Sequence, residues 1–189
     1  MTRRARTYLA LGDSMSIDLY TGVEGGGAVR RLHKWLGPSW TLDDRTADMC
    51  RMRYVPAEAR GDLITLTIGG NDLLAEKQRY LDEGLDDFAR EHLDLLRTIR
   101  DVNPGASLLV GNVYAPQTPL PDDLIRALDE ANAVIAENAE SVSAQLIDIR
   151  RSFRGREGEY LCYDIEPNLE GAAVIADLFK DAVSKEGLL

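Results

Sequence analysis

Histidine is nearly missing from this chain of 189 residues, where only His33 and His92 occur. Cysteine is equally scarce. Cys50 and Cys162 have no metal-ligand spacing and are too few for a disulfide framework, so both are expected to be reduced and structural. No apolar run approaches the roughly 20 residues of a membrane span. Arg3, Arg4 and Arg6 are not followed by an apolar stretch long enough for a signal peptide before Gly12, so the expected compartment is the cytoplasm. Positive charge is also short: 22 Lys and Arg stand against 32 Asp and Glu, a formal charge of −10. That balance argues against nucleic acid or an anionic membrane as partner and fits a small neutral or cationic molecule. Repeats and low-complexity linkers are lacking, and the length suits one well-cored domain over residues 1–189.

What is present is an alternation of strands and helices. Arg6–Leu11 reads as a buried strand running into Gly12-Asp13-Ser14, and a glycine-rich stretch, Gly25-Gly26-Gly27, precedes a helix marked by Val29, Leu32 and Leu36. Trp40–Leu42 is a weak second strand. Asp62–Ile68, β-branched and apolar, is a strong third that ends at Gly69-Gly70-Asn71-Asp72. A charged segment, Leu73–Gly84, is expected to form a solvated cover beside it. Leu85 to Val102 outlines a long helix closed by Asn103-Pro104-Gly105, and on it His92 shares a face with Phe88, a surface or core-edge position. Ser107–Tyr114 and Gln145–Ile149 complete five strands. Pro121-Asp122-Asp123 and Asn168 start the last two helices with suitable N-terminal chemistry. The predicted fold is α/β: a flavodoxin-like three-layer α/β/α sandwich around a five-stranded parallel sheet of order 2-1-3-4-5. Ligands of such sheets bind beyond the carboxyl ends of the strands where strand order reverses, here between strands one and three. Gly12-Asp13-Ser14 and Gly69-Gly70-Asn71-Asp72 are therefore expected to face each other.

A serine hydroxyl at a strand end, backed by N–H groups of the following helix and by the Asn71 amide, suits acyl transfer through a tetrahedral oxyanion. These residues resemble the SGNH hydrolases, also called GDSL esterases and lipases. Gly12-Asp13-Ser14 is similar to the first signature block and Gly69-Gly70-Asn71-Asp72 to the G-x-N-D block. The resemblance implies Ser14 as nucleophile, and Ser14, Gly70 and Asn71 as oxyanion donors. Asp13 is a further candidate for oxyanion or substrate contact, its alternative role being to brace the turn. It also implies a small-molecule ester-like substrate and no cofactor or metal.

Two places depart from the pattern. The family's second block offers a glycine N–H, but the matching loop, Arg45–Cys50, contains no glycine. The last block, D-x-x-H-P before the final helix, becomes Tyr163-Asp164-Ile165-Glu166-Pro167, which puts Glu166 in the histidine's place. Glu166 is then the candidate general base. Its reference proton affinity is about 3 kcal/mol below that of histidine, a gap that burial or a nearby carboxylate would narrow. Asp164, two residues away, would point to the same side of an extended segment and form a coupled pair with Glu166. Two functions stay open: a serine hydrolase with an atypical carboxylate base, and a catalytically inactive binding module that kept the crevice.

Overall fold

The computed structural model describes residues 6–188; Arg3 and Arg4 of the N-terminal reading lie outside them. The first strand, β1 (Arg6–Gly12), alternates its side chains between two cores. Tyr8 and Ala10 face one helical layer, Leu9 and Leu11 the other. That period of two on a strand buried from both sides makes it central. β2 (Trp40–Thr46) and β3 (Leu63–Thr67) pair with it in parallel, and β4 (Ser107–Gly111) and β5 (Gln145–Ile147) extend the parallel sheet beyond β3, in the order β2-β1-β3-β4-β5. The expected topology is the observed one.

Helix α1 (Ala28–Leu36) and the last helix, α8 (Leu169–Glu186), cover one face. Val29, Leu32, Ile175, Phe179 and Val183 meet Tyr8, Leu63 and Leu109 there. The opposite face is covered by α4 (Asp86–Val102) and α5 (Asp122–Ser141), whose Phe88, Leu96, Ile99, Ala131 and Ile135 pack on Leu9, Ile64, Leu66 and Val110. Each fully buried Leu, Ile or Phe stabilises the fold by about 1.5–3 kcal/mol relative to exposure. Asn168 caps α8 as expected, its side-chain oxygen accepting from the N–H groups of Glu170 and Gly171 at 3.0 Å.

Several elements differ from the sequence reading. β2 runs four residues past Leu42, because an edge strand tolerates Asp43, Asp44 and Arg45 at its open side. The supposed cover is two short helices, α2 (Gly70–Ala75) and α3 (Lys77–Glu83), with Tyr80 buried beneath. α6 (Ile149–Phe153) and α7 (Glu157–Tyr160) lead into a hairpin of two short antiparallel strands, β6 (Leu161–Cys162) and β7 (Glu166–Pro167). The glycine-rich loop before α1 is fastened at its base, where the Asp18 carboxylate accepts from the N–H groups of Gly25 and Gly27, both at 2.7 Å.

His92 is a core residue, wholly buried between α4 and α5 and not at their edge. Its ring lies parallel to Phe88, Nδ1 sits 3.3 Å from the Asn138 amide, and Nε2 has no partner. Burial pushes its pKa down to about 4. The fold therefore holds a neutral imidazole that the unfolded chain protonates below about pH 6.5. This contribution to stability is complete above that pH and lost as pH falls toward 4, by about 3 kcal/mol in all. Urea unfolding of the native chain and of His92→Leu between pH 7 and 4 is expected to show a steeper loss in the native chain. Equal slopes would contradict a neutral buried imidazole.

Candidate active site

All five strands end level. The last row of the sheet reads Thr46, Gly12, Thr67, Gly111, Ile147, in register from edge to edge. Glycine is required at position 12 on two counts: its φ is +122°, and a Cβ there would lie 1.9 Å from the Thr67 carbonyl oxygen. The close approach lets the Asp13 N–H donate to that same oxygen at 2.8 Å. One residue later the chain turns through a single 3-10 turn, Ser14–Ser16, shorter than the helix expected there. Asp13 caps it by accepting from the Met15 N–H at 3.1 Å, and the Ser16 and Thr67 hydroxyls bond at 2.8 Å. Ser14 is thus held at the carboxyl end of β1, with little of it exposed.

The β3 end completes the other wall. Gly69, at φ +107°, turns the chain above Phe88 into α2. The Asn71 amide donates to the Cys50 carbonyl at 3.0 Å, while the Asp72 carboxylate accepts from the Met52 N–H at 3.2 Å and from Arg51 Nε at 3.3 Å. Three bonds therefore clamp the loop after β2 against the start of α2. In that loop Met49 takes φ +55°, the left-handed conformation in which a glycine is ordinarily found.

Ser14 borders a largely apolar cavity of about 270 Å³. Ser14, Gly70 and Asn71 contribute polar lining, and Leu74, Leu81, Leu120, Leu124 and Leu128 apolar lining. The residues of α2 and α3 that looked like a solvated cover supply much of this wall. Their signal was Leu73, Leu74, Tyr80 and Leu81, hidden among six charged neighbours between 72 and 83.

Beside Ser14, but outside that lining, is Glu166, nine-tenths buried. Its carboxyl pKa is raised, first by burial and further by the charge of Asp48, while the Ser14 hydroxyl beside it works in the opposite direction. Oε2 of Glu166 has no hydrogen-bond partner. Asp13 is raised well above the usual carboxylate range, chiefly by complete burial and partly by the charges of Glu166 and Asp72.

Asp164 is not part of this group. The segment between β6 and β7 is not extended: Tyr163 and Asp164 both take left-handed conformations, at φ +49° and +74°. The turn directs the Asp164 carboxylate to the Thr118 N–H at 2.7 Å, at the far rim of the cavity. The expected same-side pairing with Glu166 is therefore absent, and the charge that acts on Glu166 is that of Asp48 from the loop after β2. Asp164, Ile165 and Leu161 also bind the loop after β4. Gln117 N–H reaches the Asp164 carbonyl at 2.8 Å, Gln117 Nε2 the Leu161 carbonyl at 2.6 Å, and the Tyr114 hydroxyl the Ile165 carbonyl at 2.7 Å. Neither histidine substitutes for the base: His33 bonds to the Trp40 carbonyl at the amino end of β2, and His92 is enclosed in the core. Among the described residues no group of three His, Cys, Asp or Glu is disposed to hold a metal ion. Nor, among them, is any helix long and apolar enough to cross a membrane.

Residues 10–174 match the model of the GDSL-like lipase/acylhydrolase family. The chain belongs to that family. Solved structures agree on the fold. A lipase from a goat rumen metagenome is 22% identical with a TM-score of 0.73, over 94% of this chain and 97% of its own. Phospholipase A1 from Streptomyces albidoflavus is 19% identical with a TM-score of 0.70, over 94% and 99% of the two chains. A variant acetyl xylan esterase from Geobacillus stearothermophilus is 16% identical with a TM-score of 0.73, over 93% of each. No curated protein matches the sequence significantly. Within the GDSL-like fold, the row of strand ends that carries Ser14 and the turn that carries Asn71 are the two walls of the crevice between β1 and β3.

Proposed function

We propose that this GDSL-like protein is a carboxylic-ester hydrolase in which Ser14 is the nucleophile and Glu166 the general base. The observation that carries the reading is the position of Ser14 on an apolar cavity with amide donors in its lining, beside a buried carboxylate. The acyl chain lies along Leu74, Leu81, Leu124 and Leu128, which brings the ester carbonyl to Ser14. Ser14 Oγ bonds to the carbonyl carbon as its proton passes to the Glu166 carboxylate. The developing oxyanion accepts from the N–H groups of Ser14 and Gly70 and from the second hydrogen of the Asn71 amide, whose first is held by Cys50. Glu166 returns the proton to the departing alkoxide as the ester C–O bond breaks. Water, deprotonated by the same carboxylate, then releases the acid and restores Ser14.

The raised pKa of Glu166 supports this role, since it narrows the proton-affinity gap to histidine. A base must be ionised, so turnover is expected to rise with pH through the raised Glu166 value and fall away below it. Labelling with an alkyl phosphonate fluoride, read by intact mass and peptide mapping, tests the nucleophile. One phosphonyl group on Ser14 is expected, formed more slowly as pH falls. No adduct between pH 6 and 9, together with no turnover of octanoyl esters, would favour the inactive binding module.

A further inference from the structure

A second pattern lies outside the lining of the cavity. Tyr20 from the loop after β1, Asp48 from the loop after β2, and Cys162, Tyr163 and Glu166 from the β6–β7 hairpin converge there, and Tyr20, Asp48, Cys162, Tyr163 and Glu166 are all outside the apolar cavity. The Tyr20 and Tyr163 rings meet edge to face with centroids 6.1 Å apart, and the Cys162 thiol donates to the Tyr20 carbonyl at 3.6 Å. Burial first, then Asp48 and the charge of Glu166, push the Tyr20 pKa up to about 12.

The charges at this spot have one sign. Glu166 and Asp48 act on Tyr20, Glu166 on Cys162 and Asp48 on Glu166, carboxylates in every case. Arg51, in the neighbouring loop, is engaged by Asp72 and Glu76 at 3.3 and 3.1 Å. Glu166 is nine-tenths buried, and its Oε2 lacks any partner. A buried carboxylate without counter-charge is costly, and a ligand that brings the missing positive charge relieves that cost. Aromatic rings beside carboxylates are the chemistry that recognises an ammonium group. The described residues here offer no three-ligand metal geometry, which favours an organic cation over a metal ion.

We infer that the alcohol half of the substrate carries an ammonium group, seated between Tyr20, Tyr163 and Asp48 with Glu166 behind it, outside the cavity that takes the acyl chain. This rests on the ester-hydrolase reading and names its leaving group. The net charge of −10 draws such a cation toward the protein before contact.

The test compares octanoylcholine with its neutral isostere, in which carbon replaces the quaternary nitrogen, and separately measures tetramethylammonium binding by calorimetry. A preference of about tenfold in kcat/KM for the cationic ester is expected, shrinking as salt rises. Asp48→Asn is expected to reduce it severalfold, as is Tyr163→Ala at a position exposed enough to tolerate truncation. Equal turnover of the two esters without tetramethylammonium binding would overturn the subsite and leave the esterase standing. Turnover of neither ester, with tetramethylammonium binding that Asp48→Asn abolishes, would leave the subsite standing and overturn the esterase. A cationic preference that Asp48→Asn and Tyr163→Ala both leave intact would overturn the placement.

Discussion

Ser14→Ala is expected to lower kcat/KM for a neutral octanoyl ester by at least about 10³-fold, and Glu166→Gln by about 10²–10⁴-fold. The two losses should not add. Every role proposed for the base, from taking the serine's proton to freeing its acyl ester, depends on the serine, so the double variant is expected to be no slower than Ser14→Ala alone. Glu166→Gln keeps size and shape at a nine-tenths buried position, so its melting temperature should stay close to that of the native chain. It should also erase the acid limb of the pH–rate profile, because that limb reports the raised Glu166 carboxyl. Initial rates from pH 4 to 9 for the three variants decide the matter. A Glu166→Gln enzyme with native rate and native pH profile would sink the base assignment, and undiminished turnover in Ser14→Ala would sink the nucleophile.

Gly12→Ala carries the largest expected cost in stability, more than about 4 kcal/mol, at the extreme of what single substitutions do. The added methyl would meet the carbonyl oxygen, carbonyl carbon and amide nitrogen of Thr67 at 1.9, 2.7 and 2.9 Å. These are backbone atoms of a neighbouring central strand, so no side-chain rotation relieves the clash. The φ of +122° adds strain independently. Parting β1 from β3 here would break the bond from Asp13 N–H to the Thr67 carbonyl and displace Ser14. Guanidinium unfolding should show the transition shifted far down or the chain unfolded without denaturant. Gly22→Ala is the control: its φ is +70° but nothing lies within 4 Å of the added methyl. A loss comparable in the two variants would show that backbone strain, and not the close approach of strands, dominates at position 12.

The parts legible from sequence share a cause. β1 and β3 are apolar on both faces, so their boundaries and the polar motifs at their ends stand out from the residues around them. The 2-1-3-4-5 order follows from regular alternation of strand and helix. Hidden features are those where tertiary contacts overrule local preference. Tyr163 and Asp164 adopt positive φ without being glycine, so an extended chain was the natural expectation and a turn was found. α2 and α3 carry enough charge to read as solvated, yet a few leucines and Tyr80 set their inward faces. Asp48 had no motif to mark it; only the folding of the β2 loop beside Ser14 brings its charge to Glu166. Tyr20 likewise meets Tyr163 across most of the chain's length in sequence.

The bonds that join the Leu161–Ile165 segment to Tyr114, Gln117 and Thr118 have an evolutionary consequence. One rim of the apolar cavity, at Pro116, Thr118 and Leu120, hangs from the same short span that presents Glu166. A lineage selecting for a longer or shorter acyl chain through these residues would disturb the aim of its carboxylate at once. Innovation in substrate range should come more freely from Leu74 and Leu81 in α2 and α3 and from Leu85 just before α4, which border the cavity from segments that carry no part of that linkage.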